Sequence, residues 1–176
     1  MSQSANTNRR VVLAERPKGA PDDKTLRLET SDMPKAGAGQ MLLRTVYLSL
    51  DPYMRGRMND AKSYAEPVAI GGVMTGQVVA QVVTSDLEKF AVGDYVLHGS
   101  GWQDYAVSDG KDVMNLGKDP KNPSWSLGVL GMPGYTAYAG LLLIGEPKPG
   151  ETVVVAAASG PVGATVGQIA KIKGCH

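Results

Sequence analysis

The stretch TVVVAAASGPVG, residues 152–163, limits the possible folds more than any other part of the chain. It opens with a short unbroken apolar run, the pattern of a parallel strand covered on both faces. Ala158, Gly160 and Gly163 then fall in an A-x-G-x-x-G spacing, with Gly167 four residues further on. Val162, Val166 and Ile169 follow at i, i+4 and i+7, which predicts a helix. Each small residue has a physical role in such a unit. Gly160 lets the backbone approach a pyrophosphate, and Gly163 lets the helix lie close to the strand. The helix N-terminus presents free N–H groups and partial positive charge to an anion. Pro161 suits the first helical position, where its missing N–H costs little. Lys171 and Lys173 favour the C-terminal end, and Gly174 suits the stop. The same spacing also serves as a plain tight strand-to-helix connection. The strand before it and the helix after it favour half of a dinucleotide-binding unit.

The other half is expected to lie outside this sequence. The acid that holds a ribose stands about 20 residues beyond the glycines, and here only residues 164–176 follow. The strand at 152–158 would then lack a parallel neighbour on one side. Such an exposed, uncharged edge invites pairing with a second copy.

Upstream, short β-rich runs alternate with Gly, Pro and Asp: RVVLAER, LRLET, MLLRTVYLSL, GVMTGQVVAQVV, DYVLHGSGWQDYAV and DVMNLG. They predict a compact β-rich, barrel-like domain. Residues 1–10 are polar and are expected to be frayed. KDPKNPSW marks a boundary, so the chain divides into residues 1–125 and 126–176. Pro133 and Gly134 open a helix on which Tyr135, Tyr138, Leu141 and Leu142 recur at helical spacing.

Composition excludes several classes. Over 176 residues the net charge is +1, from 18 basic and 17 acidic residues, with no basic stripe for nucleic acid. No apolar run is long enough for a bilayer. One cysteine, Cys175, makes no internal disulfide and suits a reducing, cytoplasmic setting. One cysteine and two histidines, His98 and His176, do not supply a zinc ligand set. His98 reads as a strand-end residue. Trp102 and Tyr105 alternate on a strand and read as packing.

DPYMRGRM, GMPGYTAY and AAASGPVG, in that order, carry a resemblance that extends over nearly the whole chain. The chain resembles the medium-chain dehydrogenase/reductase superfamily. Its resemblance is to the zinc-free branch of prostaglandin reductases, leukotriene B4 12-hydroxydehydrogenase, plant double-bond reductases and bacterial curcumin reductases. The resemblance implies a GroES-like N-terminal domain followed by the start of an NADP-binding Rossmann domain, and a chain shortened to about half the family's length. It implies NADP(H) as cofactor, an enone or enal as substrate, and a homodimeric parent. Pro52 and Tyr53 would line the cleft facing nicotinamide and substrate, with the Tyr53 hydroxyl on a substrate carbonyl. Thr136 would sit beside the nicotinamide or its phosphates, and Met132 would wall the pocket. Gly160, Pro161, Val162 and Gly163 would hold the pyrophosphate. From the residues alone, Asp51-Pro52 starts a turn, with Arg55 and Arg57 solvated or paired with Asp51. Met132 and Thr136 are then ordinary residues at a helix start. Two other readings stay open: a catalytically inert domain or interaction module, and a quinone reductase of the same superfamily.

Overall fold

The computed structural model describes residues 6–176, which form two compact units, Met1–Lys121 and Asn122–His176. The first unit is built from seven antiparallel strands. β1 (Thr7–Leu13) and β2 (Leu26–Asp32) pair with each other. β3 (Met41–Leu48), β4 (Val78–Ser85), β5 (Tyr95–His98), β6 (Tyr105–Ser108) and β7 (Met114–Gly117) form a second sheet in the order β6-β3-β4-β5-β7. Single bridges, Arg10 to Gln103 and Val12 to Val73, tie β1 to segments outside its own sheet.

Alternation sets the core. Met41 and Leu43 on β3, and Val78, Ala80 and Val82 on β4, meet Phe90 and Val96 in one buried cluster. A fully buried valine or leucine of this kind stabilises by about 1.5–3 kcal/mol relative to exposure. A second cluster joins Leu13, Met54, Met58 and Met74, and Tyr53 and Trp102 pack against it. Trp102 thus serves packing as expected, although it lies in a bend ahead of β6 and does not alternate with Tyr105 on a strand.

The polar N-terminus is not frayed from Thr7 onward. Asn8 is buried, and its amide clamps β1 to β6. Its Nδ2 donates to Gln103 Oε1 at 3.2 Å and Tyr105 O at 3.0 Å, and its Oδ1 accepts from Tyr105 N at 2.9 Å. Composition hides this, because a satisfied buried amide looks like any surface polar residue in a sequence. The first residues of the stretch, 1–5, lie outside the described ones.

The second unit has a 3₁₀ turn (Pro123–Leu127), helix α2 (Met132–Tyr138), a π-helical turn (Ala139–Gly145) and helix α3 (Pro161–Ile172). Pro133 stands in the first turn of α2 and Pro161 in that of α3, as expected. The buried face of α2 differs from the expected stripe. Tyr135 and Tyr138 are exposed, while Pro133, Gly134 and Ala137 are buried where α2 packs against α3. Close packing selects the small face, and the widening to a π-helix after Tyr138 takes Leu141 and Leu142 out of the 3.6-residue register.

The strand expected at 152–158 is not formed among the described residues. A strand needs a ladder, and this segment has little of one. His176 N–H donates to Glu151 O at 2.9 Å, and Val153 N–H donates to His176 O at 2.7 Å. These two bonds flank Thr152 as a parallel neighbour's bonds would, but one residue does not make a sheet. Val154 is 89% exposed. The C-terminal end of α3 follows expectation in detail. Gly174 adopts a φ of +76°, Cys175 N–H reaches Ala170 O at 3.0 Å, and Gly174 N–H reaches Lys171 O at 3.1 Å. This is a Schellman stop.

Candidate functional site

The candidate residues fall on three helix starts. In the first unit, β3 ends at Leu48 and the chain enters helix α1 (Tyr53–Arg57) through Ser49-Leu50-Asp51-Pro52. (α1 precedes α2 and α3 in the chain.) Ser49 N–H donates to Gln77 O, and Met54 N–H donates to Asp51 O at 3.1 Å, which fixes the turn. Pro52 caps α1 with a φ of −56°, a value its ring presets. Met54 points into the methionine cluster, and Tyr53 lies half-buried on its edge.

Burial raises the Tyr53 phenol above the ordinary tyrosine range, and the negative charge of Asp51 adds to this. A hydrogen bond with Thr75 and the positive charge of Arg57 pull the other way. Tyr53 is therefore a neutral hydrogen-bond donor at neutral pH, set between an acid and a base. The arginines, expected to be solvated or paired with Asp51, are not paired with it and are not simply solvated. Arg55 Nη2 donates to Gly19 O at 2.6 Å and Arg55 Nη1 to Asn59 Oδ1 at 2.6 Å, tying α1 to the loop after β1. Among the described residues Arg57 makes no ion pair, and its Nε and Nη1 are buried without a hydrogen-bond partner. Thr75 escapes sequence reading, since only the fold brings it to Tyr53.

In the second unit, Met132 and Thr136 share one face of α2, one turn apart. Thr136 Oγ1 donates to Met132 O at 2.8 Å, so the hydroxyl is held back along its own helix. Both residues are exposed. Gly160 is the N-cap of α3, with no side chain bonded to the free N–H groups and no acid in the first turn. A Cβ on Gly163 would overlap the carbonyl oxygen of Ala157, whereas at Gly160 the surroundings are roomy. An uncapped, acid-free helix start behind a glycine forced by close approach is the fit a pyrophosphate requires. Val162 lies exposed on the first turn, and Pro161 O accepts from Thr165 Oγ1 at 2.7 Å.

His98 ends β5, with Nδ1 2.6 Å from Ser100 Oγ, and burial pushes its imidazole below the usual range against Asp109 and Asp112. Among the described residues there is no group of three or more His, Cys, Asp or Glu side chains that could hold a metal. No helix among them is long and apolar enough to cross a membrane.

Comparison with known proteins places these features in context. The family described as the N-terminal domain of oxidoreductase matches residues 9–116. The NADPH-dependent curcumin reductase of Escherichia coli (strain K12) is 65% identical over 176 residues, which cover 100% of this chain and 51% of that protein. The 2-alkenal reductase (NADP(+)-dependent) of Nicotiana tabacum is 39% identical over 97% of this chain and 51% of its own. The crystal structure of CurA in complex with NADPH from Vibrio vulnificus superposes with a TM-score of 0.91 at 61% identity, covering 95% of this chain and 50% of that one. The chain spans about half the length of the curated relatives it matches.

Proposed function

The chain belongs to the family of oxidoreductase N-terminal domains, and from that premise we propose that the whole protein is an NADPH-dependent reductase of carbon–carbon double bonds conjugated to a carbonyl. The observation that carries this reading is the 65% identity to an NADPH-dependent curcumin reductase, over a length that contains both the Tyr53 turn and the glycine turn. The substrate class is small enones and enals, as the 2-alkenal reductase likeness suggests. Residues 1–125 would form the GroES-like domain and 126–176 the start of the NADP-binding Rossmann domain. A cytoplasmic homodimer is the setting we propose for the whole protein.

Bound NADPH would supply hydride to the β-carbon of the substrate. This chain's residues bind and orient. The free N–H groups at the start of α3 and the bare backbone at Gly160 would hold the pyrophosphate, with Pro161, Val162 and Gly163 shaping the turn. Pro52 sets the entry to α1 and would face the nicotinamide. Thr136 and Met132, together on one face of α2, would contact the cofactor and substrate. Tyr53 donates its hydrogen bond to the substrate carbonyl and stabilises the oxygen as negative charge develops there.

Two measurements test this. The whole protein is mixed with NADPH and a simple enone, and loss of NADPH absorbance is followed. Turnover that falls about tenfold or more in Tyr53→Phe supports the reading, and no turnover with any enone or enal refutes it. Calorimetry of the 176-residue chain with NADPH then asks whether the glycine turn binds by itself. Binding lost in Gly160→Asp assigns the pyrophosphate to this turn.

A further inference from the structure

Three arginines gather around α1, and they are used differently. Arg55 is committed to Gly19 O, Pro17 O and Asn59 Oδ1. Arg16 donates to Met58 O at 2.8 Å and lies 3.8 Å from Asp60. Arg57 has neither kind of engagement at Nε and Nη1, which are buried and unpartnered among the described residues. A guanidinium keeps its proton under all ordinary conditions. Arg57 is partly buried, and turning two of its nitrogens inward without an acid leaves its charge less screened than at the surface. Such a group in a native fold calls for an explanation.

Its neighbour on the helix supplies one. Tyr53 and Arg57 stand at i and i+4 on α1, so they share a face one turn apart. The charged and titratable groups acting on Tyr53 are Asp51, Arg57 and Tyr64, with Thr75 as a hydrogen-bond partner. Arg57 is the one cation in that set. It is not compensated by an ion pair, so its field remains available at the phenol.

We propose that Arg57 is a positioning residue for Tyr53: its partly buried guanidinium, without an ion pair, makes the phenol a stronger hydrogen-bond donor to a substrate oxygen that gains negative charge. This rests on the reading of the Tyr53 turn as a substrate site. The phenol keeps its proton throughout, and Arg57 acts through Tyr53 without touching substrate.

The test reads the phenol directly in the 176-residue chain. Tyrosines are replaced by 3-fluorotyrosine, which ionises at lower pH and so within the range a fold tolerates. The Tyr53 fluorine resonance is assigned by its loss in Tyr53→Phe. Arg57→Gln removes the charge and keeps N–H donors, and Arg57→Lys keeps the charge and removes the guanidinium. The expected result is a Tyr53 titration midpoint raised by about one pH unit in Arg57→Gln and nearly unchanged in Arg57→Lys. An unmoved midpoint in Arg57→Gln, or equal shifts in both variants, overturns the proposal. Should Arg57→Gln fail to fold, the unaltered chain is titrated at low and high salt. A partly buried cation's pull largely survives salt, and a midpoint that climbs by about a full unit shows an exposed, irrelevant charge instead. In the whole protein, Arg57→Gln is expected to lower kcat about tenfold with little change in KM, with partial rescue in Arg57→Lys. Absent enone turnover in the unaltered whole protein would refute the proposed function, while the fluorine titration still judges the Arg57–Tyr53 coupling by itself.

Discussion

Gly163→Ala isolates the close approach on which the glycine turn depends. The new Cβ would overlap Ala157 O and stand 3.0 Å from Ala158 Cα. These are backbone atoms, so relief requires the turn itself to move. Overpacking of this sort costs about 1–3 kcal/mol. Alanine in a helix interior recovers about 0.5–1 kcal/mol relative to glycine. The same helix contains its own control. A Cβ at Gly167 would meet nothing within 4 Å, so Gly167→Ala keeps the helix gain and omits the clash. The two variants should therefore differ by about 1–3 kcal/mol, with Gly163→Ala the less stable. Because the chain has two units, whole-molecule melting is a poor gauge. Amide hydrogen exchange along α3 reports the local opening energy instead. Protection should be roughly 5- to 150-fold lower in Gly163→Ala than in Gly167→Ala. Equal protection would refute the argument, since it would mean that the turn relaxes freely around a methyl group.

Asn8→Ala should destabilise the first unit by about 1–3 kcal/mol, because Tyr105 N–H and C=O lose a buried partner; urea unfolding followed at Trp102 checks this. The pH dependence follows from His98, whose imidazole is held below its ordinary 6.5 by burial. The unfolded chain takes up that proton more readily. The stability His98 contributes is therefore complete above pH 6.5 and falls as pH drops below it toward the folded value. His98→Asn should flatten that acid-side fall in urea midpoints measured across pH 4–7. Val154→Lys, at an 89% exposed position, should weaken self-association of the 176-residue chain in light scattering if residues 152–158 offer a pairing edge.

What could be read in advance divides along physical lines. The strands of the first unit were legible because period-2 alternation and Gly, Pro and Asp punctuation are local signals. So were the first turns of α2 and α3, with Pro133 and Pro161, and the stop at Gly174, which needs a positive φ. Residues 152–158 have the composition of a strand and do not form one, because pairing is a property of two segments. The buried amide of Asn8 depends on partners some hundred residues away. The apolar stripe on α2 was misread because close helix packing favours Gly134 and Ala137 over Tyr135 and Tyr138. Arg57 was visible as a charge near Tyr53, but its lack of partners appears only once α1 is known to be helical.

The clamp between Asn8 and Tyr105 also has a consequence in time. The two residues are 97 positions apart. During synthesis β1 emerges ahead of the other six strands and can meet β2, its hairpin partner, almost at once. A lone two-stranded hairpin is only marginally stable. The amide clamp has to wait until Tyr105 has been made, which takes about 5–20 s at ordinary ribosomal speed. For that interval Val12 and Leu13, fully buried at the end, stand without their cover. β1 is thus made before the residues that fasten it, and a chaperone would meet it while it is still open.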